Sequence, residues 1–183
     1  MLQWLFEEAH FTHALAALVL LSRVGDLAST LLVTPTLALE ANPFARRFRR
    51  VTFTLGFAAA LIPYYNTAFG VVILVPSLLV TSSNLSRAWI ARALGEQEVL
   101  AFIKRAAARS SPVAATGFLI AAALPMALLG LSLLVLSGGP DSWGYYFAWG
   151  ILVYAVVMAV YSTGFALKLI RQVRQHEVTE RTA

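Results

Sequence analysis

Asp26 and Arg23, three residues apart, lie inside the first long apolar stretch of the chain, with Ser29 and Thr30 just beyond them. A charge deep in hydrocarbon costs about 2.5–3.5 kcal/mol on insertion scales, so a carboxylate there implies a use: a titratable group, a cation ligand, a general base or an ion-pair partner. Later apolar stretches carry Asn84 and Ser162–Thr163. Counted from the predicted outer end of each stretch at ~1.5 Å per residue, all of them fall about 23–30 Å down, in the cytoplasmic part of a ~30 Å core. Glu40 and Asn42 would close that level from the following connection, and Arg23 and Arg87 are its candidate cations. The expectation is one intramembrane polar pocket facing the cytoplasm, formed by Asp26, Thr30, Glu40, Asn42, Asn84, Arg23 and Arg87. The competing explanation is local. Arg23 and Asp26 sit at i, i+3 and can pair with each other, and membrane serines and threonines bond to backbone carbonyls or to neighbouring helices.

Other chemistries find less support. His10 and His13 with Glu7 and Glu8 have the i, i+3 spacing of a two-histidine metal site, but at an interfacial N-terminus they are most simply incidental, and no metal site is assigned. Asn84-Leu-Ser86 reads as a glycosylation sequon buried in the membrane, where it carries no meaning. The chain has no cysteine, which removes disulfides, thiolate ligands and thiol nucleophiles. It lacks His-Glu-x-x-His, Gly-x-Ser-x-Gly and a glycine-rich phosphate loop. Magnesium-dependent phosphoryl transfer needs several carboxylates, and the apolar segments supply one. Paired histidines for haem are absent from the interior of every span. No cofactor is expected.

The elements that must hold these residues are membrane helices. Of 183 residues, 59% are hydrophobic and 13% charged, where a soluble domain is nearer half and a quarter. At about 20 residues per crossing, the length holds about five spans and no extramembrane domain. The expected fold is all-α, a polytopic membrane helix bundle in a single domain, 1–183. Its spans fall at about 11–34, 43–64, 67–93, 112–136 and 143–170. Pro35 ends the first. Asn42-Pro43 and Ser111-Pro112 begin the second and fourth as N-cap plus N1 proline. A reversal near Pro63–Asn66 is required, because a continuous helix over 43–93 would be about 75 Å long. Gly95 closes the third span, and Ser137-Gly-Gly-Pro-Asp141 is a turn. Val99, Phe102, Ile103 and Ala106 recur at helical spacing beside Lys104, Arg105 and Arg109, which predicts a short amphipathic cytoplasmic helix near 96–109.

The formal charge is +5, and its distribution argues topology rather than nucleic acid. Every lysine and arginine except Arg23 falls between spans one and two, around the connection of three and four, or at and beyond the end of span five. The positive-inside rule therefore predicts N-out, C-in. Trp4, Phe6, Phe11, Tyr64, Tyr65, Trp143, Tyr145 and Tyr146 would form the outer aromatic belt and Trp89 an inner anchor. The acidic N-terminus is unlike a cleavable signal. The basic loops would attract anionic lipid.

The run Asp26-Leu-Ala-Ser-Thr30 followed by Glu40-Ala-Asn42-Pro43 resembles a pattern in an uncharacterised family of small bacterial multispanning membrane proteins. There an Asp-x-x-x-Thr in the first span leads to Glu-x-Asn-Pro at its cytoplasmic end. The resemblance covers 26–43 and the overall size. It implies that Asp26, Thr30, Glu40 and Asn42 form a linked set, and it implies no activity. The expected protein is a multi-pass component of the bacterial cytoplasmic membrane, a non-catalytic accessory or assembly subunit, with a homo-oligomer or larger complex as its setting. The alternatives are a transporter or binder of a small solute, proton or lipid head group at Asp26, and a lipid-modifying enzyme at the inner leaflet.

Overall fold

The computed structural model describes residues 2–182, with side chains described over 9–175. The fold is an all-α bundle with no strand among the described residues. Its helices are α1 (Leu2–Val33), α2 (Pro43–Arg47), α3 (Arg49–Ala58), α4 (Ile62–Tyr65), α5 (Thr67–Leu94), α6 (Glu96–Arg109), α7 (Pro112–Leu136) and α8 (Trp143–Thr182), with a 3-10 turn at Ala59–Leu61 before α4. Among the described residues, four segments are long and apolar enough to cross a membrane: Ala9–Val33, Thr67–Leu94, Pro112–Leu136 and Trp143–Gln175.

The residues that start and stop these helices act locally. The Asn42 side chain accepts from the N–H groups of Phe44 and Ala45, Asn66 accepts from Phe69, and Ser111 accepts from Ala114. Each cap satisfies donors that the first turn leaves orphaned, and Pro43 and Pro112 sit where no N–H is needed. Between α5 and α6 the backbone turns at Gly95 with φ 83° and ψ 153°, a region essentially closed to residues with a Cβ.

The segment expected as one span over 43–64 is not one helix. It breaks at Phe48 between α2 and α3, and again at the 3-10 turn. The second break has a direct cause in Pro63. In an α-helix the Ala59 carbonyl would accept the N–H of residue 63, and proline has none. Ala59 accepts instead from Ile62, which tightens the turn.

Even so, the segment retraces the depth of the bundle. Gly70 of α5 lies against Leu15 of α1, Gly25 against Thr81, and Asn84 against Ser29 and Thr30. The numbers rise together, so α1 and α5 run parallel, and the chain between them must return to the starting end. Arg23 beside Gly56, and the 2.9 Å hydrogen bond between His13 Nδ1 and the Tyr64 hydroxyl, set this returning segment antiparallel to α1. Arg49 to Tyr65 covers about 25 Å at ~1.5 Å per residue.

Helix α8 runs parallel to α1 and antiparallel to α7. Leu15, Val19, Val71, Leu74 and Val75 form a core on which Tyr146 and Ile151 close. Close approach relies on missing side chains. A Cβ on Gly150 would stand 2.7 Å from Val75 Cβ, and one on Gly130 would stand 2.8 Å from Leu152 Cγ. A second cluster, Ala107, Leu169 and Ile170 with Ile103, Ala115 and Phe165, ties α6 and α7 to α8. Outward, α7 leaves Val113, Phe118 and Val135 each more than three-quarters exposed, an apolar surface suited to hydrocarbon.

The two ends differ. Phe11 and Trp143 stack with centroids 4.9 Å apart near His13 and Tyr64, and Tyr145, Tyr146 and Trp149 continue this aromatic end. The side chains of Trp4, Phe6, Glu7 and Glu8 lie outside the described residues. Arg46, Lys104 and Lys168 meet at the other end, around a common cavity.

Candidate functional site

The level of Asp26 resolves into three separate arrangements. Arg23 Nη1 donates to Asp26 Oδ2 at 3.4 Å, one turn away on α1, with both side chains 25% exposed. Beside this pair, Asn84 Nδ2 of α5 donates to Ser29 Oγ at 3.3 Å and Thr30 Oγ1 at 3.0 Å. Ser29 in turn donates to the Asp26 carbonyl at 3.0 Å. Parallel packing of α1 and α5 brings these groups together, and Gly25 against Thr81 keeps the helices close one turn earlier. Glu40 and Asn42 form the third arrangement in the connection. Glu40 Oε1 accepts the Asn42 N–H at 2.8 Å, while the Asn42 side chain caps α2.

Of the residues expected in one pocket, Asn84 is joined to Thr30, Arg23 to Asp26 and Glu40 to Asn42, and Asn84 also bonds Ser29, which lay outside that set. Arg87 is exposed and has no polar partner among the described residues. Thr163 Oγ1 and Arg23 Nε are buried without a hydrogen-bond partner among the described residues. Chemically, the level is suited to holding helices in register. It offers one ion pair and two interhelical hydrogen bonds, each of the latter worth about 0.6 kcal/mol in membrane proteins. No group of three or more metal-ligating side chains occurs among the described residues, and His13 is engaged by Tyr64.

Among the described residues, the most highly connected carboxylate is one the sequence did not single out. Glu96, the first residue of α6, receives the loop that follows α1. Its Oε2 accepts from the Thr36 N–H at 3.0 Å and the Thr36 hydroxyl at 2.9 Å. Its Oε1 accepts from the Ala38 N–H at 3.0 Å and from the Thr34 hydroxyl. Thr34 Oγ1 also accepts the Leu39 N–H at 3.1 Å. Within this loop Leu37 is buried at φ 60°, a left-handed conformation that leucine adopts only when its surroundings impose it. Burial, the largest single influence on Glu96, pushes its carboxyl up, but the combined donors from Thr34, Thr36 and Ala38 outweigh it and hold the group below the usual carboxylate range. A glutamate opening an amphipathic helix directly after a glycine was the available signal. Its partners, some sixty residues upstream, were not visible.

Next to this clamp lies a cavity of about 220 Å³. Arg46 from α2, Lys104 from α6, and Lys168 with Gln172 from α8 form its polar wall, and Leu100, Phe165 and Leu169 its apolar wall. Ala38, whose N–H is held by Glu96, completes the rim. In the sequence these cations read only as topology signals.

No protein-family model, curated protein or solved structure matches this chain.

Proposed function

We propose that the chain is a non-catalytic multi-pass membrane protein, an accessory or assembly component whose intramembrane polar groups fix helix packing. The observation that carries this reading is the hydrogen bonding of Asn84 to both Ser29 and Thr30, beside an Asp26 turned to Arg23 on its own helix. Asn84, Ser29 and Thr30 at that level are engaged with one another. In this reading α1, the returning 43–65 segment, α5, α7 and α8 are five crossings, and the basic end faces the cytoplasm by the positive-inside rule. A bacterial cytoplasmic membrane, anionic lipid at the basic loops, and a homo-oligomer or larger complex around the exposed face of α7 belong to the same proposal.

Proteoliposomes carrying wild-type or Asp26→Asn chain should show equal background flux of protons and small cations. Asn84→Ala should lower the thermal midpoint of the purified protein. A flux that depends on Asp26 would overturn the reading.

One observation favours a second reading, a transporter or binder of a small solute or proton. The Arg23–Asp26 contact is long, both side chains are a quarter exposed, and Arg23 Nε has no partner among the described residues. The same flux measurement decides between the two.

A further inference from the structure

We infer that the cavity between α2, α6 and α8 is a phosphate site, taking the phosphate of an anionic phospholipid head group or of a soluble phosphate. The inference rests on the part of the proposed function that sets this end at a membrane surface, and not on the absence of catalysis.

Three cations from three helices converge there. Arg46, Lys104 and Lys168 line one space, and none of their side chains has an ion pair or hydrogen bond among the described residues. Like charges brought together repel, and an anion between them removes that repulsion while gaining charge-assisted hydrogen bonds. Arg46 supplies a planar fork that matches two phosphate oxygens, the lysines supply mobile point charges, and the Gln172 amide adds a neutral donor.

The volume sets the scale. About 220 Å³ holds a phosphate and a few waters at ~30 Å³ each, and falls short of the roughly 300–1,000 Å³ of pockets that enclose drug-sized ligands. Acyl chains would lie outside, along apolar helix faces. The site is also concave and small, unlike the extended basic surface that nucleic acid requires.

The cavity is built rather than incidental. Phe165, Lys168, Leu169 and Gln172 fall on one face of α8 at i, i+3, i+4 and i+7. On α6, Glu96, Leu100 and Lys104 follow one another at i, i+4 and i+8. The residue that clamps the 34–38 loop therefore stands two turns below the lysine, and it holds Ala38 in the rim. Glu96 acts as a positioning residue. It touches the wall and leaves the anion to the cations.

The test uses the full chain in nanodiscs and in detergent. Wild type is compared with Arg46→Gln/Lys104→Gln/Lys168→Gln and with a control of equal charge change outside the cavity, Arg47→Gln/Arg49→Gln/Arg50→Gln. One arm reads co-purified anionic against zwitterionic phospholipid by native mass spectrometry. The other titrates inorganic phosphate by calorimetry. Loss of at least tenfold in anionic-lipid retention for the cavity variant, with the control within twofold of wild type, supports the site with lipid as the source. The same contrast in the phosphate arm alone supports it with soluble phosphate as the source. Equal behaviour of the two triple variants in both arms overturns it and assigns any binding to diffuse charge. That outcome leaves the flux test of the proposed function unaffected. Should the triple variant fail to fold, Lys168→Gln, at an exposed side chain, is read in its place with an expected loss of about threefold. No loss in that variant overturns the site.

Discussion

Removing the Glu96 carboxylate should release the loop between α1 and α2 without unfolding the bundle. Four donors converge on this group: the hydroxyls of Thr34 and Thr36 and the backbone N–H groups of Thr36 and Ala38. Hydrogen bonds to a charged acceptor contribute about 1.5–3 kcal/mol each when buried. Thr36 is exposed, so water replaces Glu96 at two of the four donors at little cost. The loss concentrates on Thr34, which is 3% exposed, and on the half-buried Ala38. Taking the lower end of that range for Thr34 and a fraction of it for Ala38, Glu96→Ala costs about 2 kcal/mol of local stability. Opening of the loop then becomes roughly 30-fold more frequent, and the amides of Ala38 and Leu39 should exchange with solvent faster by that factor. The thermal midpoint should fall by roughly 4–8 °C. Glu96→Gln should also weaken the clamp, because one acceptor oxygen becomes a donor facing donors.

The pH dependence has a fixed sign. Glu96 has a folded pKa below its unfolded value, so its contribution is fully present above the ordinary carboxylate range. That contribution disappears as pH falls through the depressed folded value. Acidification from neutrality should therefore lower the Ala38 protection factor, the exchange rate of the unfolded amide relative to the observed rate at the same pH, in wild type, and this loss should be missing in Glu96→Ala. Equal exchange at Ala38 in the two proteins at neutral pH would refute the clamp.

Three further outcomes are expected. Asn84→Ala removes both hydrogen bonds to α1 and should destabilise the bundle by about 1 kcal/mol, read as a fall in thermal midpoint in detergent. Gly150→Val should cost 2 kcal/mol or more, about the upper range for overpacking, because its first carbon would stand 2.7 Å from Val75 Cβ, while Gly117→Ala, with open space around it, should be neutral or slightly stabilising on the same assay. In a double-mutant cycle, Arg23→Met with Asp26→Asn should show coupling below about 1 kcal/mol, as befits a long, part-exposed i, i+3 pair.

What the sequence made legible was local. The starts of α2 and α7 lie in Asn42-Pro43 and Ser111-Pro112, and the end of α5 lies in Gly95, because caps and left-handed glycines act over a few residues. Counting helix rise also placed Asn84 near Ser29 and Thr30, since depth in a bundle follows from residue number once the ends are known. The break at Ala59–Leu61 lies four residues before its cause, Pro63, and an apolar run conceals it. Glu96 was invisible for a different reason. Its contact with Thr34–Ala38 exists only because the 43–65 segment retraces the bundle and leaves α1 and α5 parallel, with their far ends side by side. The positive charge of Arg46, Lys104 and Lys168 was evident in the sequence, but their meeting required the packing of α6 on α8.

The contrast between the two polar regions bears on where this chain acts. Inside the apolar segments, a charge or amide without a partner is expensive, and the residues present satisfy much of that demand among themselves: Arg23 with Asp26, and Asn84 with Ser29 and Thr30. At the basic end, Glu96 is committed to the loop and Glu40 to the Asn42 N–H, so these two carboxylates are engaged, while three cations converge with no ion pair among the described residues. On the proposed phosphate site, a chain that balances charges where imbalance is costly and gathers charge of one sign at the basic end would direct recognition to that end. Loss of a partner at the Asp26 level should therefore register mainly as loss of stability, whereas loss of charge around Lys104 should register as loss of binding with stability preserved.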